Sequence, residues 1–326
     1  MGFDKDVLRI DASAEADRIA AAIRRQVRAC KRRGVVIAVS GGIDSSAVAA
    51  LCAKAVGPER CHILLMPERD SDPETLALSQ SVADAFGVSF THEDATVMLE
   101  GMKCYARRDE AVRRVLPDYG PGWKMKIVLP GIAEGKTYNV YSIVAQSPSG
   151  EMIKRRLPLD AYLQIVAATN FKQRVRKTME YYYADKLHYV VAGTPNRLEY
   201  DQGFFVKNGD GSADIKPIAH LYKTQVYEIA AASGVPEAVC NRPPTTDTYP
   251  LPQGQDEFYF ALPYQQMDLC LWAKNHDVPA VDVAPVVDLS VDQVVWVYDD
   301  IDKKRATTRY LHAGPMLVDE IGELGS

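Results

Sequence analysis

Ser40-Gly41-Gly42-Ile43-Asp44-Ser45-Ser46 combines residue types that bind phosphate with one that ordinarily repels it. The apolar run Val35–Val39 precedes it, and the helix-like run Ala47–Ala55 follows. A strand, a Gly-rich turn and a helix in that order put free backbone N–H groups and a helix N-terminus where an anion can sit. Gly41 and Gly42 let the backbone approach a phosphate closely. Ser40, Ser45 and Ser46 add hydroxyl donors. Asp44 is out of place in an anion pocket unless a cation lies between carboxylate and phosphate, which points to Mg²⁺ beside a polyphosphate. The plainer reading is an ordinary βα turn that contains glycine. The string lacks the G-K-[ST] ending of a Walker A loop.

Three further segments carry chemistry-bearing types. Gly193-Thr194-Pro195-Asn196-Arg197-Leu198-Glu199 follows another apolar run, so Thr194 and Glu199 fall at a strand's carboxyl end. Glu199 is a second carboxylate for a metal. Lys207 to Asp214 is a Gly/Asp-rich loop carrying one lysine, and such a loop alone is more often a surface turn. Leu221-Tyr222-Lys223-Thr224-Gln225-Val226 places Lys223 at a helix start.

Elements positioning these residues follow from periodicity. Residues 13–31 read as an amphipathic helix, 61–66 as a second strand, 73–86 as a helix and 88–92 as a third strand. From about 101 to 159 the alternation breaks, and turn signals at 119–122 and 147–150 frame a hairpin of 138–144 with 151–157. A long helix is expected over 159–186, a fourth parallel strand over 187–193, and helices over 221–233, 256–276 and 290–303. Strands alternating with helices predict an α/β fold with a doubly wound parallel sheet, whose ligands bind outside the carboxyl ends of the strands. The expected organisation is a single domain over 1–326 with an inserted, hairpin-containing subdomain at 101–159.

The bulk composition limits the alternatives. The chain has 326 residues, 47% of them hydrophobic and 25% charged, with a net charge of −5. A nucleic-acid binder would carry a basic surplus, and the short basic runs at 31–33, 154–156 and 174–177 read as solvated faces. The six cysteines are scattered without C-x-x-C or zinc spacing, which argues for reduced thiols. No apolar stretch suits a signal peptide or a membrane span, so a cytoplasmic location is expected.

The Ser40–Ser46 string resembles the pyrophosphatase loop of the N-type ATP pyrophosphatases. Taken with Asn170-x-x-x-Arg174-x-Arg176, Gly193–Glu199, Gly203-Phe204-Phe205-x-Lys207-x-Gly209-Asp210-Gly211-x-x-Asp214, Leu221–Val226, Pro244-Thr245-Thr246-Asp247 and Asp256-Glu257, it resembles the NAD synthetase family. The resemblance covers about 35–56 and 165–275. It implies an adenine nucleotide alpha hydrolase-like fold. It also implies amidation of nicotinic acid adenine dinucleotide to NAD⁺ through an acyl-adenylate, with AMP and pyrophosphate released.

Carried over by position, the resemblance gives Ser40, Gly41, Gly42, Asp44, Ser45, Ser46, Thr194, Lys223 and Thr245 to ATP. Asp44 and Glu199 go to Mg²⁺. Asn170, Arg174, Lys207 and Asp214 go to the dinucleotide, and Asp44, Lys223 and Lys207 are the catalytic candidates. The family often carries a His-Lys-Arg run near its C-terminus that closes over substrate. The best match is Lys303-Lys304-Arg305, so Lys303 and Lys304 become substrate candidates, with a solvated helix end as the alternative.

Glutamine-using members carry an extra amidase domain. About 35 residues precede the first strand, so free ammonia, or ammonia from a separate glutaminase, is the expected nitrogen donor. The family also implies a homodimer, with Leu163, Val166, Phe171, Met179 and Tyr182 as seam candidates unless they face the core. The segment at 101–159 and the altered C-terminal run keep a second function open, an amidoligase acting on another carboxylate. A non-catalytic nucleotide-binding regulator would have no use for Asp44 and Glu199 together.

Overall fold

Successive residues of β1 (Val35–Ala38) bury on opposite sides of one sheet. Val35 and Ile37 pack into one core, and Val36 packs into another with Leu64, Tyr183 and Val191. This alternation requires helices on both faces, as a parallel sheet demands. A computed structural model describes residues 2–128, 141–244, 248–254, 259–260 and 262–319. The expected sites Thr245, Asp256 and Glu257, and the start of the expected hairpin at 138–140, lie outside the described residues.

The main sheet has the order β3-β2-β1-β7, all parallel, from β2 (Cys61–Leu65), β3 (Ser89–His92) and β7 (Val190–Ala192). On one face lie α1 (Ala12–Ala29), α2 (Ile43–Val56), α3 (Thr75–Phe86) and α8 (Lys223–Ala232). Asp11 caps α1 by accepting from the Ala14 N–H. The other face is covered by the C-terminal half of α6 (Leu159–Leu187). At 29 residues α6 is about 43 Å long, so its first half extends beyond the sheet.

That first half supports a second, smaller core. Helix α5 (Cys104–Arg113), which follows α4 (Thr96–Gly101), packs on it. So does a three-stranded antiparallel sheet of β4 (Lys124–Val128), β5 (Ser142–Gln146) and β6 (Met152–Arg156). The β5–β6 pair is the expected hairpin, closed where the Gly150 N–H donates to the Ser147 carbonyl with φ +90° at Gly150. Helix α5 and strand β4 were not expected. Their signals are short: Ala111 and Val112 on α5, and the alternation Lys-Met-Lys-Ile-Val on β4, where Met125 and Ile127 are buried.

The chain continues through α7 (Arg197–Gln202) and α9 (Glu237–Cys240) to a C-terminal cluster of α10 (Tyr264–Asn275), α11 (Ala280–Val287) and α12 (Val291–His312). The reading at 290–303 underestimates α12, which Ser290 opens with a capping box to Gln293 and which meets no breaker before Gly314-Pro315.

Candidate functional site

The Gly-rich turn sits at the carboxyl end of β1, and two constraints shape it. Gly41 has φ +68°, and a Cβ there would lie 2.8 Å from the Leu78 Cβ on α3, so neither the conformation nor the space admits a side chain. Gly42 is the N-cap of α2, and its carbonyl accepts from Ser45 Oγ at 3.1 Å and Ser46 Oγ at 2.8 Å. Ser40 stays exposed, with its N–H donating to Ser45 Oγ at 3.2 Å.

Asp44, in the first turn of α2, is the hub of this end of the site. Its Oδ2 forms an ion pair with the Lys223 ammonium, and its Oδ1 accepts from Asn196 Nδ2 at 3.0 Å. Asn196 is buried and caps α7. It exchanges hydrogen bonds with Glu199 in a capping box, both at 3.2 Å. Lys223 is buried at the start of α8. Burial pulls its ammonium pKa down, but Asp44 and Glu199 more than offset this, and the net shift is upward. Asp268 of α10 fixes the Lys223 backbone by accepting from the N–H groups of Lys223 (3.1 Å) and Thr224 (2.7 Å). Burial raises the Asp268 carboxyl to about 6 against these hydrogen bonds. Among the described residues, no group of three or more His, Cys, Asp or Glu side chains could hold a metal. Asp44 and Glu199 are two hard oxygen donors beside one cation. Such a pair suits Mg²⁺ that takes its other ligands from phosphate and water.

A cavity of about 540 Å³ runs from this cluster along α6. The structure brings Ser40, Gly42, Asp44, Ser45, Thr194, Glu199 and Lys223 to it, together with Asn170, Arg174 and Lys207. Arg174 Nε donates to the Lys207 carbonyl at 3.3 Å. Lys207 Nζ donates to the carbonyls of Tyr310 (2.6 Å) and Ala313 (2.9 Å), which ties the dinucleotide candidates to the end of α12.

Five candidates are placed differently. Gly41 and Ser46 stand behind the loop rather than lining the cavity. Asp214 accepts from the Val191 N–H at 2.8 Å and from Tyr181 Oη at 3.2 Å, so it braces β7. Lys303 is exposed, and Lys304 turns to Asp300 and the Tyr259 carbonyl, both at 2.6 Å. The part of α12 that reaches the cavity is one turn further on, at Thr308, Tyr310 and Leu311.

Sequence reasoning also missed Asn196, Asp268 and Lys172. Asn196 was legible, because Asn followed three residues later by Glu is a capping-box signature. Lys172 lines the cavity yet is only 2% exposed, held by Glu68 and Asp70 from the loop after β2. No local pattern announces that contact.

The sheet order and the Gly-rich turn at its carboxyl end define an α/β protein of the adenine nucleotide alpha hydrolase-like class. The model of the NAD synthase family matches residues 15–114 and 133–307, and the chain belongs to that family. The NH(3)-dependent NAD(+) synthetase of Rhizobium meliloti is 56% identical over 322 residues, covering 99% of this chain and 96% of the relative. That of Thermotoga maritima is 34% identical over 262 residues, covering 80% of this chain and 87% of the relative. Among solved structures, the NMN synthetase from Francisella tularensis superposes with TM-score 0.63 at 16% identity, covering 96% of this chain and all of that one. The NH3-dependent NAD synthetase from Campylobacter jejuni gives 0.62 at 18%, covering 95% and 100%. At these identities the two structures speak for the fold alone. No helix among the described residues is long and apolar enough to cross a membrane.

Proposed function

We propose that this chain makes NAD⁺ by ATP-dependent amidation of nicotinic acid adenine dinucleotide with ammonia. The observation that carries this reading is the joining of the Gly-rich turn, the Asp44–Lys223 pair and the Asn170–Arg174–Lys207 group in one cavity. Near-full-length relatives named as NH(3)-dependent NAD(+) synthetases support it. Nothing in the site or the comparisons favours a different carboxylate.

The chemistry has two steps. A nicotinate carboxylate oxygen attacks the α-phosphorus of ATP, the bond to the β-phosphate oxygen breaks, and pyrophosphate leaves. Ammonia then attacks the carbonyl carbon of the acyl-adenylate, AMP departs, and the nitrogen loses a proton. The N–H groups at the start of α2 are placed to bind phosphate oxygens. Lys223 stays charged and fixed, so it stabilises the charge that builds on them without reorganising. Thr194 and Thr245 are assigned to ATP, and Asn170, Arg174 and Lys207 to the dinucleotide. Mg²⁺ held by Asp44 and Glu199 would neutralise the polyphosphate. In this reading Asp214, Lys303 and Lys304 act from outside the cavity wall.

The protein is expected to act as a cytoplasmic homodimer built as one domain, with 101–159 as an elaboration. Of the five seam candidates on α6, Leu163 and Tyr182 are more than half exposed, as a seam would leave them in a lone chain, whereas Val166 lines the cavity and Phe171 and Met179 pack against the chain's own core. Purified protein with Mg-ATP and ammonium is expected to release pyrophosphate and form NAD⁺ only when the dinucleotide is added. Light scattering on the same sample is expected to give twice the 36.1 kDa chain mass. Pyrophosphate release independent of the dinucleotide would overturn the substrate assignment, and a monomer during turnover would remove the dimer.

A further inference from the structure

Among the described residues, strand β4 pairs with a strand on one side only, β5, and its other edge is occupied by residues from far along the chain. The Met125 carbonyl accepts from the Leu251 N–H at 3.2 Å. Lys126 Nζ donates to the Pro252 carbonyl at 3.1 Å, and the Ile127 carbonyl accepts from Gln253 Nε2. Partners advance together, 125 with 251, 126 with 252 and 127 with 253, so residues 251–253 run beside β4 in the same direction.

Two more fixings lie just upstream. Tyr249 is buried in the same core as Met125, Ile127 and Ile143. The Thr248 carbonyl accepts from Lys172 Nζ at 2.9 Å. Thr248 and Tyr249 line the cavity, as do Pro243 and Pro244 before them and Tyr259 after them. The family model skips 115–132, the stretch that holds β4. The template for this cavity wall therefore lies in a part of the chain that the general family pattern does not specify.

We propose that the β4–β5–β6 sheet is a positioning element for the reaction: its outer edge anchors residues 251–253 and so holds Thr248 and Tyr249 as a preformed wall of the nucleotide cavity. Gln253 and Lys126 are its positioning residues. The inference rests on reading that cavity as the ATP and dinucleotide site. A segment with no regular partner must be ordered when ligand binds, and that cost weakens binding. Here folding orders it beforehand. Loosening it is therefore expected to raise KM and leave kcat nearly unchanged.

The test compares wild type with Gln253→Met and Lys126→Met. It uses hydrogen exchange across 248–253, ATP affinity, and KM and kcat for NAD⁺ formation. Each variant is expected to speed exchange at Leu251 about tenfold and to raise the KM for ATP by about five- to tenfold, the worth of one lost hydrogen bond, with kcat within about twofold. Faster exchange with unchanged ATP affinity and KM would overturn the proposal, as would unchanged exchange in both variants. If Gln253→Met does not fold, the more solvent-facing Lys126→Met decides. If wild type forms no NAD⁺, the proposed reaction fails, while exchange and ATP affinity still decide whether the sheet positions this wall.

Discussion

Replacing Asp44 by Asn is expected to lower the rate of NAD⁺ formation by about 10³-fold or more, with the protein still folded. Removal of one preorganised group that stabilises developing charge costs about 10²–10³ in rate. Asp44 serves two such functions in the proposed reaction. It holds the buried Lys223 in position through a partly buried ion pair, and it offers an oxygen to Mg²⁺. Asn keeps the size and can still accept from Asn196 Nδ2, so the geometry of the turn survives. Lys223 retains Glu199 as a neighbouring charge, which limits the penalty of leaving the ammonium buried.

The measurement is NAD⁺ and pyrophosphate formation at saturating ATP, dinucleotide and ammonium, with the unfolding midpoint as a control. A kcat within tenfold of wild type would exclude the metal and ion-pair roles together. The raised pKa of Lys223 adds a condition. The ammonium remains protonated through neutral and mildly alkaline pH, so the activity of wild type should show no loss there that traces to Lys223.

Asp44 and Lys223 were legible in sequence because each lies in a short string whose neighbours specify its surroundings. Glycines before Asp44 form a turn, and the helix that follows fixes Asp44 in its first turn, beside the carboxyl end of β1. The four-stranded parallel sheet was legible for a related reason. Each strand is a short apolar run followed by a helix, and that alternation leaves few topologies. What escaped were contacts between distant segments. Lys172 meets Glu68 and Asp70 across about a hundred positions, and nothing local marks it as buried rather than solvated. Residues 251–253 look like an irregular loop until β4 supplies an edge for them.

The C-terminal run lies off the cavity for a geometric reason. The long helix α12 carries Lys303 and Lys304 past the cavity and delivers Thr308, Tyr310 and Leu311 instead, so a register taken from residue types alone falls about one turn short.

Replacing Lys172 by Met is expected to destabilise the protein by about 3–5 kcal/mol at neutral pH, the cost of breaking a buried ion pair from one side. The cluster is balanced in charge: Glu68 and Asp70 against Lys172 and Arg108. Lys172 Nζ donates to Glu68 Oε1 at 2.8 Å and Asp70 Oδ2 at 2.9 Å. Arg108 pairs with Asp70 at 2.5 Å, and Tyr105 Oη donates to Glu68 Oε2 at 2.6 Å. Met preserves length and volume but leaves Glu68 inside the protein with no cation in contact, its Oε2 accepting only from Tyr105 Oη and the Asp70 N–H.

The pH dependence separates this cause from lost packing. Burial pushes the Asp70 carboxyl up, while Lys172 and Arg108 pull it down further, so its folded pKa lies below the ordinary value. A depressed carboxylate contributes stability above its unfolded pKa, near 4, and loses it as pH falls through the folded value. Without Lys172, Asp70 keeps Arg108 and the more distant, exposed Arg69 at 3.6 Å, its folded pKa rises, and protonation becomes the easier way to bury it. The stability gap between wild type and variant should therefore be widest at neutral pH and narrow as the pH falls toward 4. Adding Glu68→Gln to the variant should recover part of the loss, because no uncompensated anion then remains. Denaturant unfolding at several pH values, on both single variants and the double, reads all of this. A gap that does not change with pH, with no recovery in the double variant, would mean that Lys172 contributes only its hydrocarbon stem.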